Sequence, residues 1–117
     1  MKLRIWRNAL RLRLSQSEVA SLAAGSRIDE SIEFPSGGAL RYSILPMEQG
    51  ALTTRYSSDR IEVFVPRESA RAWADSNDVG LYADGALQIA VEKDFRCVAG
   101  PASENASDAY PNPSKSC

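Results

Sequence analysis

The order of secondary-structure patterns repeats along this chain, and the repeat limits the folds that it can adopt. Residues 11–23, RLRLSQSEVASLA, and residues 62–74, EVFVPRESARAWA, both run an alternating apolar strand into a helix start, at an offset of 51 residues. Further along, GAL at 38–40 matches GAL at 85–87 at an offset of 47, so the second copy is four residues shorter. We therefore interpret the chain as one unit written twice. The alternative is that any two amphipathic strand–helix units look alike.

The first copy has the pattern strand–strand–helix–strand–strand. Segments 2–6 and 10–14 alternate apolar and polar residues around an Arg7–Asn8 turn, which predicts a hairpin with one apolar face. Ser15 and Glu18 match a capping box at the start of a helix, and Gly25 can close that helix. Segments 27–34 and 39–45 flank PSGG, which predicts a second hairpin.

The second copy follows a linker at 46–50. Strands are predicted at 51–57, 60–65, 79–83 and 86–92, and Pro66 suits the first position of the second helix. These patterns predict an α+β, mainly β fold, in which two ββαββ units form a barrel-like structure or interlocked sheets with two short helices. Packing the copies about a pseudo-two-fold axis would remove open strand edges. The predicted core is Leu3, Ile5, Leu10, Leu12, Leu14, Val19, Leu22, Ile61, Val63, Val65, Trp73, Leu81, Leu87, Ile89 and Val91.

Length and composition predict one domain over residues 1–96, with pseudo-symmetric halves at 1–45 and 51–92. Residues 97–117 are rich in Pro, Ser and Asn and have no periodicity, which predicts an irregular tail. No apolar run is long enough for a membrane helix, and Arg and Asn interrupt the N-terminal segment where a secretory signal would need an apolar core. We therefore expect a cytoplasmic protein with no membrane partner, in which Cys97 and Cys117 are reduced.

Charge is unevenly distributed along the chain. The net charge is −1, yet residues 1–13 carry five basic side chains and no acid. The alternating pattern places five side chains on the outward face of the first hairpin, where they could contact phosphates or another anion and stack on a base. These are Lys2, Arg4, Trp6, Arg11 and Arg13. The alternative is a solvated face whose charges prevent strand edges from pairing.

Other candidate sites have weaker support. Cys97 could be a reactive thiol whose pKa is lowered by Lys93 and Arg96, but the chain has no histidine to activate a thiol. The favoured alternative is the end of a strand, in which Phe95 and Cys97 alternate inward and the charges lie in water. Cys97 and Cys117 would suit a disulfide only in an oxidising compartment, and they form a poor zinc set. Glu33 and Glu62 are predicted to face solvent, and Trp73 to pack in the core rather than line a ligand pocket. No catalytic, cofactor-binding or metal-ligating residue is assigned.

Two resemblances bear on function. The opening MKLRIWRNALRLRLSQSEV, the segment VEKDFRC and the ending DAYPNP resemble a bacterial family labelled only as a domain of unknown function, which implies no activity or cofactor. The first 22 residues are also similar to the AbrB/MazE swapped-hairpin regulators. Arg7 stands where their turn has Gly, and Ser15 stands where they have Pro.

Three functional hypotheses follow. We favour a small non-enzymatic binding or interaction domain with a protein or small-molecule partner. One alternative is a DNA-binding regulator or antitoxin-like protein that uses the basic hairpin, although the low overall charge does not favour nucleic acid. The other is an enzyme that works in a cleft between the halves.

Overall fold

The computed structural model describes residues 1–95, 110 and 111. Within them the chain forms eight strands and two helices in the predicted order. The elements are β1 (Lys2–Trp6), β2 (Ala9–Leu14), α1 (Gln16–Ala23), β3 (Ile28–Glu33), β4 (Ala39–Met47), β5 (Thr53–Ser57), β6 (Arg60–Pro66), α2 (Arg67–Ala74), β7 (Gly80–Ala83) and β8 (Gln88–Lys93).

The described strands form two four-stranded sheets. Sheet I has the order β1-β2-β8-β7, and sheet II has the order β3-β4-β6-β5. Each sheet takes one hairpin from each half, and the hairpins meet at a central parallel pair, β2 with β8 and β4 with β6. The predicted interlocked arrangement is therefore confirmed. The barrel-like alternative is wrong, because the described strands make two separate sheets that do not close on each other.

The strand register repeats between the halves as the sequence offsets require. Leu10 pairs with Ile89 in sheet I, and the corresponding Ile61 pairs with Tyr42 in sheet II. The hydrogen bond from the Gln88 amide to the Asn8 carbonyl, 3.1 Å, has its counterpart in one from Arg41 to Asp59, 2.9 Å. The duplicated ββαββ pattern thus accounts for both sheets.

One core lies between the inner faces of the sheets and the two helices. Its buried members are Leu10, Leu12, Leu14, Val19, Leu22, Ile44, Val63, Val65, Ala70, Trp73, Ile89 and Val91. Four predicted core residues are only partly buried and pack at its border: Leu3, Ile61, Leu81 and Leu87. Ile44 and Ala70 were not predicted as core residues.

The prediction for Ile5 is wrong. Its side chain is 59% exposed, although it pairs with the buried Leu10. Ile5 lies near the turn end of the edge strand β1, where it lines a groove together with Tyr56 of β5. Alternation identifies the face on which a side chain lies, but not whether another element covers that part of the face.

The helix boundaries follow local signals. The capping box is present: the Glu18 amide donates to Ser15 Oγ at 3.3 Å, and the Ser15 amide donates to Glu18 Oε1 at 2.9 Å. Gly25 follows the C-cap with φ of 99°, a conformation that favours glycine. Pro66 is the last residue of β6, so α2 begins one residue later than predicted.

The predicted linker at 46–50 begins inside a strand. β4 continues to Met47, and Pro46 pairs with Val65 of β6. β3 starts opposite Ile44, so one side of β4 has no partner strand beyond that point among the described residues. A residue without an N–H is tolerated there.

No helix in the described part of the chain is long and apolar enough to cross a membrane. The predicted tail, including Cys97 and Cys117, lies outside the described residues except for Tyr110 and Pro111, which are exposed. The predictions about a reactive thiol and a disulfide therefore remain predictions.

Candidate binding site

The outer face of sheet I carries all five residues of the predicted basic site. Leu10, Leu12 and Leu14 point into the core. The residues of β2 that alternate with them therefore face outward. Strand pairing arranges the outward side chains in rows that run across the sheet. The rows are Lys2–Arg13–Glu92–Gly80, then Arg4–Arg11–Ala90–Tyr82, then Trp6–Ala9–Gln88.

A cleft lies over the second and third rows. Its volume is about 250 Å³, just below the range of roughly 300–1,000 Å³ that is typical of small-molecule sites. The alanines on the two central strands, Ala9 and Ala90, contribute the smallest side chains of its lining and form its floor. Its larger lining residues are Arg4, Trp6, Leu10, Arg11, Tyr82, Asp84, Gln88 and Ile89. We call this the sheet I cleft.

Acidic residues of the second half partly neutralise the basic hairpin. Lys2 Nζ lies 2.8 Å from Asp94 Oδ2, and Arg11 Nε lies 3.2 Å from Glu92 Oε1. Arg13 Nε is 3.9 Å from the same Glu92 oxygen. The sequence pattern did not predict these contacts, because they join strands about 80 residues apart in the chain.

Tyr82 forms one wall of the cleft, and Glu92 holds it in place. The Tyr82 hydroxyl donates to Glu92 Oε2 at 2.8 Å. Partial burial and this hydrogen bond to the Glu92 carboxylate raise the pKa of Tyr82 to about 12. Gly80 makes room for this arrangement, because a Cβ there would lie 2.5 Å from the Val91 carbonyl oxygen and 3.1 Å from the Tyr82 hydroxyl.

Trp6 forms the opposite wall at the end of β1. The Arg7 guanidinium lies 4.7 Å from the centre of its ring, a cation–π contact. In the predicted Arg7–Asn8 turn, Arg7 has a φ of 53°, in the left-handed region. Asn8 instead joins the hairpin to β8, since its side-chain amide donates to the Ala86 carbonyl and its own carbonyl accepts from Gln88.

The corresponding face of sheet II is filled by its own side chains. Arg60 occupies the position that matches Ala9, and its Nη1 donates to Ser43 Oγ at 2.8 Å. Ser43, which matches Ala90, is fully buried and donates to Asp29 Oδ1 at 2.5 Å. Arg27 also binds Asp29, at 2.9 Å. Arg60 and Ser43 thus occupy the positions on sheet II that Ala9 and Ala90 hold on sheet I.

Ion pairs link charged side chains on the outer face of sheet II. Hydrogen bonds from Arg27 and Ser43 hold the pKa of Asp29 below its usual value. Glu62 is only 8% exposed and accepts from Arg55 at 2.9 Å. The prediction that Glu62 faces solvent is therefore wrong: it lies on the outer face, but the neighbouring side chains cover it. Glu33 is exposed as predicted.

The remaining candidates do not assemble into a reactive site in the described residues. Trp73 is 2% exposed and belongs to the core, as predicted. Among residues 1–95, 110 and 111, His, Cys, Asp and Glu side chains do not group in threes that could hold a metal ion. The sequence analysis did not identify the alanine floor. Aligning the two halves would have shown that Ala9 takes the position that Arg60 has in the second half.

Comparison with known proteins identifies the chain only at the level of a family. A family model described as "Family of unknown function (DUF7009)" matches residues 1–114. This confirms the resemblance to a domain of unknown function, whereas the similarity to AbrB/MazE regulators is not shown. No curated protein and no solved structure matches the chain.

Proposed function

The chain belongs to this family of unknown function, and from its own geometry we propose that it is a non-enzymatic binding domain whose ligand occupies the sheet I cleft. Because the family description names no activity, we infer the function from the geometry of the site. The sheet I cleft is concave, partly apolar and lined by a few polar groups, as ligand sites commonly are.

The contrast between the two sheets carries the proposal. The halves share one pattern and one register, yet Arg60 and its partners fill the face of sheet II while Ala9 and Ala90 leave sheet I open. Stability alone does not call for this difference, because the same backbone supports the filled arrangement. A ligand needs an open surface, and sheet I provides one between Trp6 and Tyr82.

The two other hypotheses have less support. Asp94 and Glu92 offset part of the charge that phosphate contacts would use. DNA binding therefore remains a prediction, which a salt-sensitive gel shift lost in Arg4→Glu with Arg11→Glu would support. An enzyme that works in a cleft between the halves remains a prediction, and so does a cytoplasmic location.

Filling the cleft tests the proposal. We expect ligand-observed NMR with a small-fragment library to find compounds that shift the indole signal of Trp6 in a saturable manner. Ala90→Leu should remove this binding, because the larger side chain occupies the floor. Ala90→Ser, which introduces the residue found in sheet II, is the matched control and should retain it. If no fragment moves the Trp6 signal in the wild-type chain, the proposal is wrong.

A further inference from the structure

The second hairpin of the first half is longer than its counterpart in the second half. β3 pairs with β4 over six residue pairs, whereas β7 pairs with β8 over four. The pairs Ile28–Ile44 and Leu81–Val91 correspond to each other, because Ile44 and Val91 are related by the offset of 47 residues. Counted from these pairs, residues 31–33 of β3 have no paired counterpart in β7. We call them, together with Phe34, the β3 extension.

The β3 extension presents apolar side chains to solvent. Ile28 and Glu30, nearer the start of the strand, are partly buried, whereas every residue from Ser31 to Phe34 is exposed. Ile32 is 51% exposed and Phe34 is 50% exposed. Apolar side chains that lie exposed along an edge strand favour pairing with another chain.

β3 is an outer strand of sheet II, and alternate backbone groups of the extension point away from the sheet. The Phe34 amide donates to the Gly38 carbonyl at 3.1 Å. Residues at even steps before Phe34 therefore bond to β4, and the residues between them point outward. The Arg41 amide, opposite Ser31, agrees with this phase, because it donates to Asp59 on the other side of β4 at 2.9 Å. The outward N–H and C=O groups are those of Ser31 and Glu33.

From this edge we infer that the β3 extension binds a second copy of the chain, with β3 antiparallel to β3 about a two-fold axis at Ile32. Ser31 of each copy lies opposite Glu33 of the other, and their outward backbone groups form the hydrogen bonds. Ile32 meets Ile32 of the second copy, and Phe34 lies on either side of this contact. Both copies thereby cover their exposed apolar side chains. A contact of this kind uses the same patch twice and closes after two chains.

Charge selects this register over its neighbours. An axis at Ser31 would place Asp29 opposite Glu33 of the second copy, and an axis at Glu30 would place the two Glu30 side chains opposite each other. Carboxylates that face each other across two strands are destabilising. With the axis at Ile32, Glu33 lies opposite a serine, and Glu30 keeps its ion pair with the N-terminal ammonium of its own chain, at 3.2 Å.

Sedimentation equilibrium of the full chain tests the association. One chain has a mass of 12.8 kDa, and we expect the measured mass to approach that of two chains between about 10 μM and about 1 mM, because a small interface binds weakly. Ser31→Pro removes an outward N–H but no bond to β4, and Ile32→Lys places like charges opposite each other. Each change should weaken the association at least tenfold. Val79→Lys, at a residue that is 49% exposed, is the matched control and should leave it unchanged, and circular dichroism checks that each variant folds.

Cysteine cross-linking tests the register. In a chain whose Cys97 and Cys117 are replaced by serine, Ile32→Cys should form a disulfide-linked dimer under mild oxidation. Its two copies are directly opposite, with Cα atoms about 4.5 Å apart, which a disulfide can bridge. Ser31→Cys is the control and should cross-link at least tenfold more slowly, because its two copies are offset along the strands.

Three results would overturn the inference. The first is a wild-type chain that stays monomeric up to about 1 mM. The second is an association that Ser31→Pro and Ile32→Lys leave unchanged. The third is cross-linking of Ser31→Cys as fast as that of Ile32→Cys. The proposed function of the sheet I cleft is independent of all three results.

Discussion

The buried hydroxyl of Ser43 organises three charged side chains on sheet II. It donates to Asp29 and accepts from Arg60, and Arg27 donates to both oxygens of the same carboxylate. A buried hydroxyl without hydrogen-bond partners would destabilise the fold. These contacts supply the hydroxyl of Ser43 with both an acceptor and a donor. Asp29 is the common acceptor of the group.

Asp29→Asn should therefore lower the free energy of unfolding by roughly 0.5–1 kcal/mol near neutral pH, since the carboxylate is half exposed and solvent screens it. The folded state depresses the pKa of Asp29. Its contribution is thus complete above the unfolded pKa of about 3.9 and is lost as pH falls through the lower folded pKa. Urea denaturation at several pH values should show wild type and variant converging below about pH 4.

The exposed Asp78 is the control for this experiment. Asp78→Asn should change the free energy of unfolding by less than about 0.5 kcal/mol. A difference between wild type and Asp29→Asn that stays constant down to about pH 2 would contradict the assigned role of the carboxylate.

At this scale the sequence predicts the face of a residue better than its burial. Glu62 alternates with core residues and does lie outward, but Arg55 and its neighbours cover it. Ile5 alternates with polar residues and was expected inside, but it lies near the end of β1 and is 59% exposed. Burial depends on neighbours from distant parts of the chain, and local alternation carries no information about them.

Among the elements, the two helices begin in different ways. Ser15 caps α1 through its side chain, and Glu18 completes the reciprocal bond. α2 starts after Pro66 without a side-chain cap. The local signals for both starts were readable from the sequence, because a capping box and an N-terminal proline act within one helical turn.

Ser15→Ala should lower the free energy of unfolding by about 1 kcal/mol, since it removes the acceptor for the Glu18 amide. Chemical denaturation followed by circular dichroism measures the change. Ser21→Ala in the same helix is the matched control and should be neutral or slightly stabilising, because alanine is the better helix former. Equal losses in the two variants would show that the cap does not stabilise the fold.

For the whole molecule, neither half contains a complete sheet. β2 needs β8 from the second half, and β4 needs β6, so both central parallel pairs join the halves. We expect residues 1–50 and 51–117, produced separately, to lack a cooperative thermal transition as monomers. Mixed in equal amounts, they should recover strand signal by circular dichroism and sediment as a one-to-one complex. A monomeric half that unfolds cooperatively would contradict this architecture.

The sequence predicted the repeated order, the mainly β class and, as one of two arrangements, interlocked sheets, but it did not predict which strands pair. Hairpins and caps are local, and the offsets of 51 and 47 residues showed the correspondence between the halves. The pairing of β2 with β8 depends on the packing of both halves. The basic face was predicted, while its acidic partners and alanine floor follow from that long-range pairing.

The connection between β4 and β5 covers only residues 48–52. It favours pairing between the two halves of one chain over pairing between halves of different chains. A partner half from another chain would satisfy both central strand pairs equally well. A short tether gives the attached half an effective concentration on the order of millimolar, so it prevails in dilute solution. Shortening this connection would remove that advantage and favour intertwined pairs of chains that exchange halves.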